Sequence, residues 1–198
     1  MSATAKDIQR DKSHERILGS AARILREKGI RGARVAEVMK GAGLTVGGFY
    51  AHFASKEALV DDTLRRTAAE MRGRLFRGLD DKPAAARAEV VLKRYLSTLH
   101  RDEYELGCPL PAVVGEVGTT APEHAGVVAE QVAAMADELE PHLVRTGGPG
   151  RSRTVALALV ALMFGGLSLA RALRGTPLSE EILRACRTVG IQAVSRKP

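Results

Sequence analysis

A chain of 198 residues, 45% hydrophobic but only 4% aromatic and without Trp, has material for one or two small packed domains and leans away from a β-sandwich. A net charge of +7 leaves nucleic acid, an anionic membrane surface or plain solubility as explanations. Two cysteines, Cys108 and Cys186, exclude a disulfide framework and a cysteine metal site, and fit a reducing, cytoplasmic compartment.

The first segment, Met1 to Lys12, is polar and charged, so it is not a signal peptide. Lys6, Arg10 and Lys12 make a short basic arm, free to touch DNA or to stay unordered. Ser13 is a candidate N-cap, and Ile17, Leu18, Ala21 and Leu25 recur at helical spacing until Gly29. Val35, Val38 and Met39 then stripe a short helix, and Gly41-Ala42-Gly43-Leu44 makes a tight turn. The next helix, about Val46 to Phe53, is too short and Gly-rich to stand alone, so Phe49 and Phe53 must pack it. Thr45, Val46, Gly47, Gly48, Tyr50 and His52 remain for the outer face. Two short helices at a sharp angle, the second lined by small residues, make a helix-turn-helix DNA reader.

Ser55 caps a fourth helix running to about Leu79, and Asp80-Asp81-Lys82-Pro83 is a break. A fifth helix spans roughly Ala84 to Leu99. Gly107 to Pro111 is a second break, followed by a short helix near Ala112–Val117. Residues Glu123 to Val144 are helical, Thr146 to Gly150 is a loop, and the last helices run about Arg151–Leu173 and Ser179–Val194. Thr154 to Ala170 carries no charge, but it is short for a membrane span and Arg-flanked, which favours a buried helix. No strand alternation, repeat, catalytic motif, metal spacing or cofactor fingerprint stands out, so an all-α, non-enzymatic protein without cofactor is expected.

Charge is unevenly placed. Residues 1–60 carry eleven Lys/Arg against six Asp/Glu, residues 61–145 eleven against fifteen, and residues 146–198 eight against two. The first basic block coincides with the reader, as phosphate binding requires. The last is a solvated face.

The run G-x-T-x-G-x-F-Y-x-H-F-x-S-K-E-x-L, Gly43 to Leu59, resembles the TetR family of bacterial transcriptional regulators, with recognisable likeness over residues 13 to 60. The resemblance implies a three-helix DNA-binding domain over 1–60, with helix 4 as connector, and a helical effector-binding and dimerisation domain over 61–198. It implies a homodimeric regulator, most often a repressor of operator DNA released by a small molecule. The alternative is a helical ligand-binding or enzymatic protein whose helix-turn-helix is only structural.

Matched positions make Tyr50 and His52 phosphate contacts. Lys56 joins them if a phosphate docks on the N-terminus of helix 4. Thr45 suits both a helix cap and a DNA contact. Gly47 and Gly48 each cost about 1 kcal/mol inside a helix, which makes sense if the backbone approaches another surface closely. Ala33-Arg34 stands where the family usually has Thr or Ser. The usual cap is lost, and Arg34 is instead placed to reach a phosphate or a guanine edge.

Gly107-Cys108-Pro109-Leu110, with Glu116 further on, resembles a motif in a branch of the family where some members sense electrophiles or oxidants. Cys108 before a helix N-terminus favours the thiolate; Glu103 and Glu105 oppose it, and a buried inert thiol is the plainer reading. Residues 102–144 hold nine Asp/Glu and no Lys or Arg. Glu116 differs from the rest, because Val113, Val114 and Val117 surround it. It is expected to anchor a ligand in an apolar cavity lined by Leu96, Leu99, Val113 and Phe164 beside Cys108, or else to tie down the following loop. The dimer interface is expected from Leu159, Leu162, Met163 and Leu167 on one helix and Ile182, Cys186, Val189 and Ala193 on the last, with Gly165-Gly166 allowing close approach.

Overall fold

The computed structural model describes residues 4–103, 107–143 and 151–195. The described residues are all-helical, as expected. They form nine α-helices, α1 (Ala5–Gly32), α2 (Val35–Gly41), α3 (Lys56–Leu75), α4 (Ala84–Tyr95), α5 (Thr98–Asp102), α6 (Leu110–Val117), α7 (Ala125–Leu139), α8 (Arg151–Ala172) and α9 (Pro177–Ser195). Three 3₁₀ turns stand at Val46–Ala51, Pro122–His124 and Glu140–His142. The loop expected at Thr146 to Gly150 lies outside the described residues, as does Glu105.

Contacts divide the chain into two units, residues 1–68 with 108–127, and residues 69–107 with 128–198. This differs from a cut near residue 60. The division falls inside α3, and α6 goes with the N-terminal helices.

In the first unit, α1 starts at Ala5 rather than at Ser13. The Thr4 hydroxyl accepts the Asp7 N–H, and the Asp7 carboxylate accepts the Thr4 N–H, a capping box that extends the helix through the basic arm. Ser13 is buried within the helix. Ile17, Leu18, Ala21 and Leu25 are core residues, as their spacing implies. Helical geometry stops at Gly29 (φ 68°, ψ −170°), and Ile30–Gly32 is a separate turn. The lost cap before the first reader helix does not prevent it: α2 starts at Val35, and the Val38 N–H donates to Arg34 O at 3.0 Å. Ser55 caps α3 as expected, its hydroxyl accepting the Ala58 N–H at 3.2 Å. Leu110, Val113 and Val117 bury one face of α6, and α6 lies on α1. His124 is buried, with Nδ1 2.7 Å from Asp61 Oδ1.

In the second unit, α8 and α9 pack along their length. A Cβ on Gly166 would stand 2.8 Å from Cys186 Sγ and 3.1 Å from Leu96, so glycine permits this approach within the chain. That close fit decides which face of α8 looks inward. Leu159, Met163 and Leu167 are 3%, 0% and 0% exposed, so they are core residues and not available to a partner. The apolar run of α8 hid this, because every face of it reads alike. Outward instead are Leu157, Ala161, Gly165 and Leu169 on α8, and Val189 and Ala193 on α9; Leu162, Ile182 and Cys186 are half-buried. Helix Ser152–Ala172 is long and apolar enough to cross a membrane, with mean hydropathy 1.9, but its inward face is the core just described.

Candidate nucleic-acid interface

The reader is a 3₁₀ turn, Val46–Ala51, shorter than the α-helix expected to Phe53. Two glycines in six residues weaken an α-helix, and packing supplies the rest. Phe49 is 1% and Phe53 4% exposed, their rings stacked 5.8 Å apart. That anchoring turns Thr45, Val46, Gly47 and Tyr50 to solvent, with Tyr50 77% exposed. Thr45 occupies the cap position, but its side chain makes no cap hydrogen bond. A Cβ on Gly47 would meet nothing within 4 Å, and one on Gly48 only Met39 at 3.9 Å. Internal packing therefore does not require glycine at either position.

Arg34 stands exposed at the start of α2. His52 follows the reader turn, half-buried, its Nδ1 shielded from solvent and without a partner among the described residues. Burial, then His14 and Arg10, hold its imidazole below the ordinary value. His14 was not picked out in the sequence; it stacks on Phe53 at 4.6 Å and stands 5.9 Å from the His52 ring.

Lys56 donates to Ile30 O at 3.1 Å, and is half-buried. An ammonium has three donors, so this bond fixes the stem and leaves two for another acceptor. Glu116 holds the same peptide from the other side. Its Oε1 accepts the Ile30 N–H and its Oε2 the Arg31 N–H, both at 2.9 Å. The carboxylate expected to anchor a ligand is thus engaged by backbone amides. The sequence leaves no trace of this, since the partners are main-chain groups 86 and 85 residues away.

The residues expected to line one cavity fall in different units, Cys108, Val113 and Glu116 in the first, Leu96, Leu99 and Phe164 in the second. Cys108, Val113 and Leu96 are buried. The second unit has a cavity of about 390 Å³ lined by Met71, Arg74, Leu75, Arg94, Ser97, Leu99, His100 and Glu103. Leu99 is the one expected lining residue it includes.

Residues 17–63 match the profile described as "Bacterial regulatory proteins, tetR family". The HTH-type transcriptional repressor KstR2 of Mycobacterium tuberculosis is 45% identical over 49 residues, 25% of this chain and 24% of that protein. The uncharacterized HTH-type transcriptional regulator YvdT of Bacillus subtilis is 36% identical over 66 residues, 31% of this chain and 34% of that one. The matches thus span about a quarter to a third of the curated relatives. The fold extends further. A TetR transcriptional regulator from Chloroflexus aurantiacus superposes with a TM-score of 0.79 at 22% identity, covering 96% of this chain and 97% of that one. Reduced NemR of E. coli gives 0.75 at 22%, covering 94% and 98%. The reader motif lies inside the segment that matches the TetR-family profile, and the helical layout along the chain is that of these TetR-family structures; together they support the TetR family of bacterial regulators for this protein.

Proposed function

We propose that this protein is a cytoplasmic, non-enzymatic transcriptional regulator, a homodimer that represses by binding operator DNA and is released by a small-molecule effector. The observation that carries the reading is the exposed face Thr45-Val46-Gly47-Tyr50, presented by a turn that Phe49 and Phe53 anchor. A face without internal use, in a basic segment, is what docking into a major groove needs. Thr45 and the glycine backbone read the groove; Arg34, Tyr50, His52 and Lys56 hold phosphates.

A second copy supplies the second reader. Leu157, Ala161, Gly165 and Leu169 on α8 and Val189 and Ala193 on α9 are exposed apolar or small positions, and a twofold-related α8–α9 pair covers them. The cavity beside Leu99 supplies room for an apolar effector with a polar group, near Arg94 and His100. Effector binding favours a spacing of the readers that fits successive grooves poorly.

A gel shift with the DNA upstream of its own gene tests this. A salt-sensitive complex with a near-palindromic site is expected, with half-sites about 34 Å apart or slightly more. A protein that never forms a complex stronger than with unrelated DNA is not such a regulator.

A further inference from the structure

A polar recess of about 280 Å³ lies between the first turns of α1 and the end of the reader turn, lined by Asp7, Arg10, Asp11, His14 and His52. Arg10 and His14 precede the family-matched segment. Arg10 reaches the reader because the Thr4–Asp7 capping box starts α1 so early. Arg10 extends to the last carbonyl of the reader turn, Ala51 O, at a long 3.4 Å. His14 is held in place by its stack on Phe53, and its ring stands 5.9 Å from that of His52.

Three groups that are or can become cations thus converge on one spot. Burial, then His14 and Arg10, disfavour charge on the His52 imidazole. An anion placed among them would oppose these effects by favouring charge on the His52 imidazole. The His52 Nδ1 is enclosed and without a partner among the described residues, so its proton state is not fixed by an internal bond.

We infer that Arg10, His14 and His52 form a seat for a DNA backbone phosphate, and that filling it takes up a proton on the imidazole pair. This rests on the DNA-binding role proposed above, and adds α1 and a pH dependence to it. The other charged groups facing the recess from α1 are Asp7 and Asp11. Asp7 is engaged by the Thr4 cap, and Asp11 adds a negative charge to the rim that opposes phosphate. The reader turn brings no formal charge, only Tyr50. At the start of α3, Lys56 is bonded to Ile30 O and Glu57 to Ser55. The sign follows from linkage. A phosphate raises the imidazole pKa, so the complex binds more protons than the separate partners and tightens as pH falls.

The test measures affinity for a short mixed-sequence DNA duplex by fluorescence anisotropy, at constant ionic strength, across the neutral range. Mixed sequence suffices, because phosphates are common to all DNA. Wild-type affinity is expected to fall as pH rises, by up to about tenfold per pH unit for one linked proton. His14→Gln and His52→Gln keep binding at alkaline pH and flatten the slope, while Tyr50→Phe keeps it. NMR titration of the two imidazoles in the intact protein is expected to show an upward pKa change when the duplex is added, which also covers a variant that folds poorly. Affinity indifferent to pH, a slope that survives both Gln variants, or imidazoles whose titration ignores DNA overturns the phosphate seat and leaves DNA binding standing. A wild-type protein that binds no duplex at any pH overturns DNA binding itself, and the seat with it.

Discussion

The Glu116 carboxylate lies where a side chain on Gly29 would have to be. A Cβ built on Gly29 falls inside that carboxylate, and the residue has a φ of 68° that only glycine adopts cheaply. Gly29 and Glu116 are therefore one device. The bare backbone lets α6 come close, and the carboxylate then satisfies the Ile30 and Arg31 N–H groups that the broken helix leaves open.

Gly29→Ala combines a backbone cost of about 1–3 kcal/mol, because φ 68° with ψ −170° is a conformation essentially reserved for glycine, with a clash against Glu116. Glu116→Ala leaves two amides without that acceptor, at about 1–3 kcal/mol. Urea unfolding of both variants and of the double variant checks the pairing. The double is expected to be less destabilised than the sum, because removing the carboxylate relieves the clash. Simple additivity would show that the two do not interact.

The reader and the helical class were legible because they depend on local signals. Phe49 and Phe53 declare a buried side, the Gly43–Leu59 run declares a family, and Ser55 declares a helix start. What stayed hidden is long-range or symmetric. Glu116 looked like a ligand anchor because its partners are backbone amides, which no side-chain pattern encodes. The early start of α1 was readable from Thr4 and Asp7, but the polar stretch after them suggested an arm. On α8, Met163 and Leu167 could not be told from Leu157 and Leu169, since apolar residues surround the helix. The cavity near Leu99 draws on α3, α4 and α5 together, a convergence of residues far apart in the chain.

Lys56 is expected to carry both a structural and a binding role. Lys56→Ala removes the bond to Ile30 O, and is expected to weaken duplex binding and reduce its salt slope by about one. Lys56→Arg keeps a cation and should recover most of the slope. If the alanine variant loses stability but keeps wild-type salt dependence, Lys56 only holds the Ile30 peptide. Tyr50→Ala, at a site 77% exposed, is expected to weaken binding at unchanged stability.

The corrected face of α8 separates two outcomes. Leu169→Glu and Val189→Glu, at positions 54% and 56% exposed, are expected to give folded monomers in sedimentation with an unchanged helical circular dichroism spectrum. Met163→Glu and Leu167→Glu place a charge in the subunit core and are expected to unfold it. A dimer that survives both surface changes would put the interface elsewhere.

His142 sets a pH limit on stability. It stacks on Phe76 at 5.5 Å, and burial, then Arg87, hold its pKa below the ordinary 6.5. Between its folded value and 6.5 the unfolded chain binds a proton that the native state refuses, so stability falls as pH drops through that window. Asp102, held below 3.8 by its bond to Arg101, gives a separate loss at lower pH. Thermal melts of His142→Phe, which keeps a stacking ring, are expected to lose less stability than wild type on mild acidification. Identical pH profiles would remove His142 from the account.

The signal itself can be assigned by three variants. Cys108 is 1% exposed, so it is expected to alkylate slowly in the folded protein and quickly only after unfolding. Cys108→Ser should then respond to a small-molecule effector as wild type does. Leu99→Trp, at a 64% exposed position on the wall of the 390 Å³ cavity, is expected to fill that space, keep DNA binding and lose release. Leu178→Trp, 49% exposed and not among the residues lining that cavity, is the control and should release normally. The measurement is loss of the duplex complex during titration with candidate amphipathic compounds. Rapid alkylation of Cys108 near neutral pH, with concurrent loss of DNA binding that Cys108→Ser abolishes, would move the sensor from the cavity to the thiol.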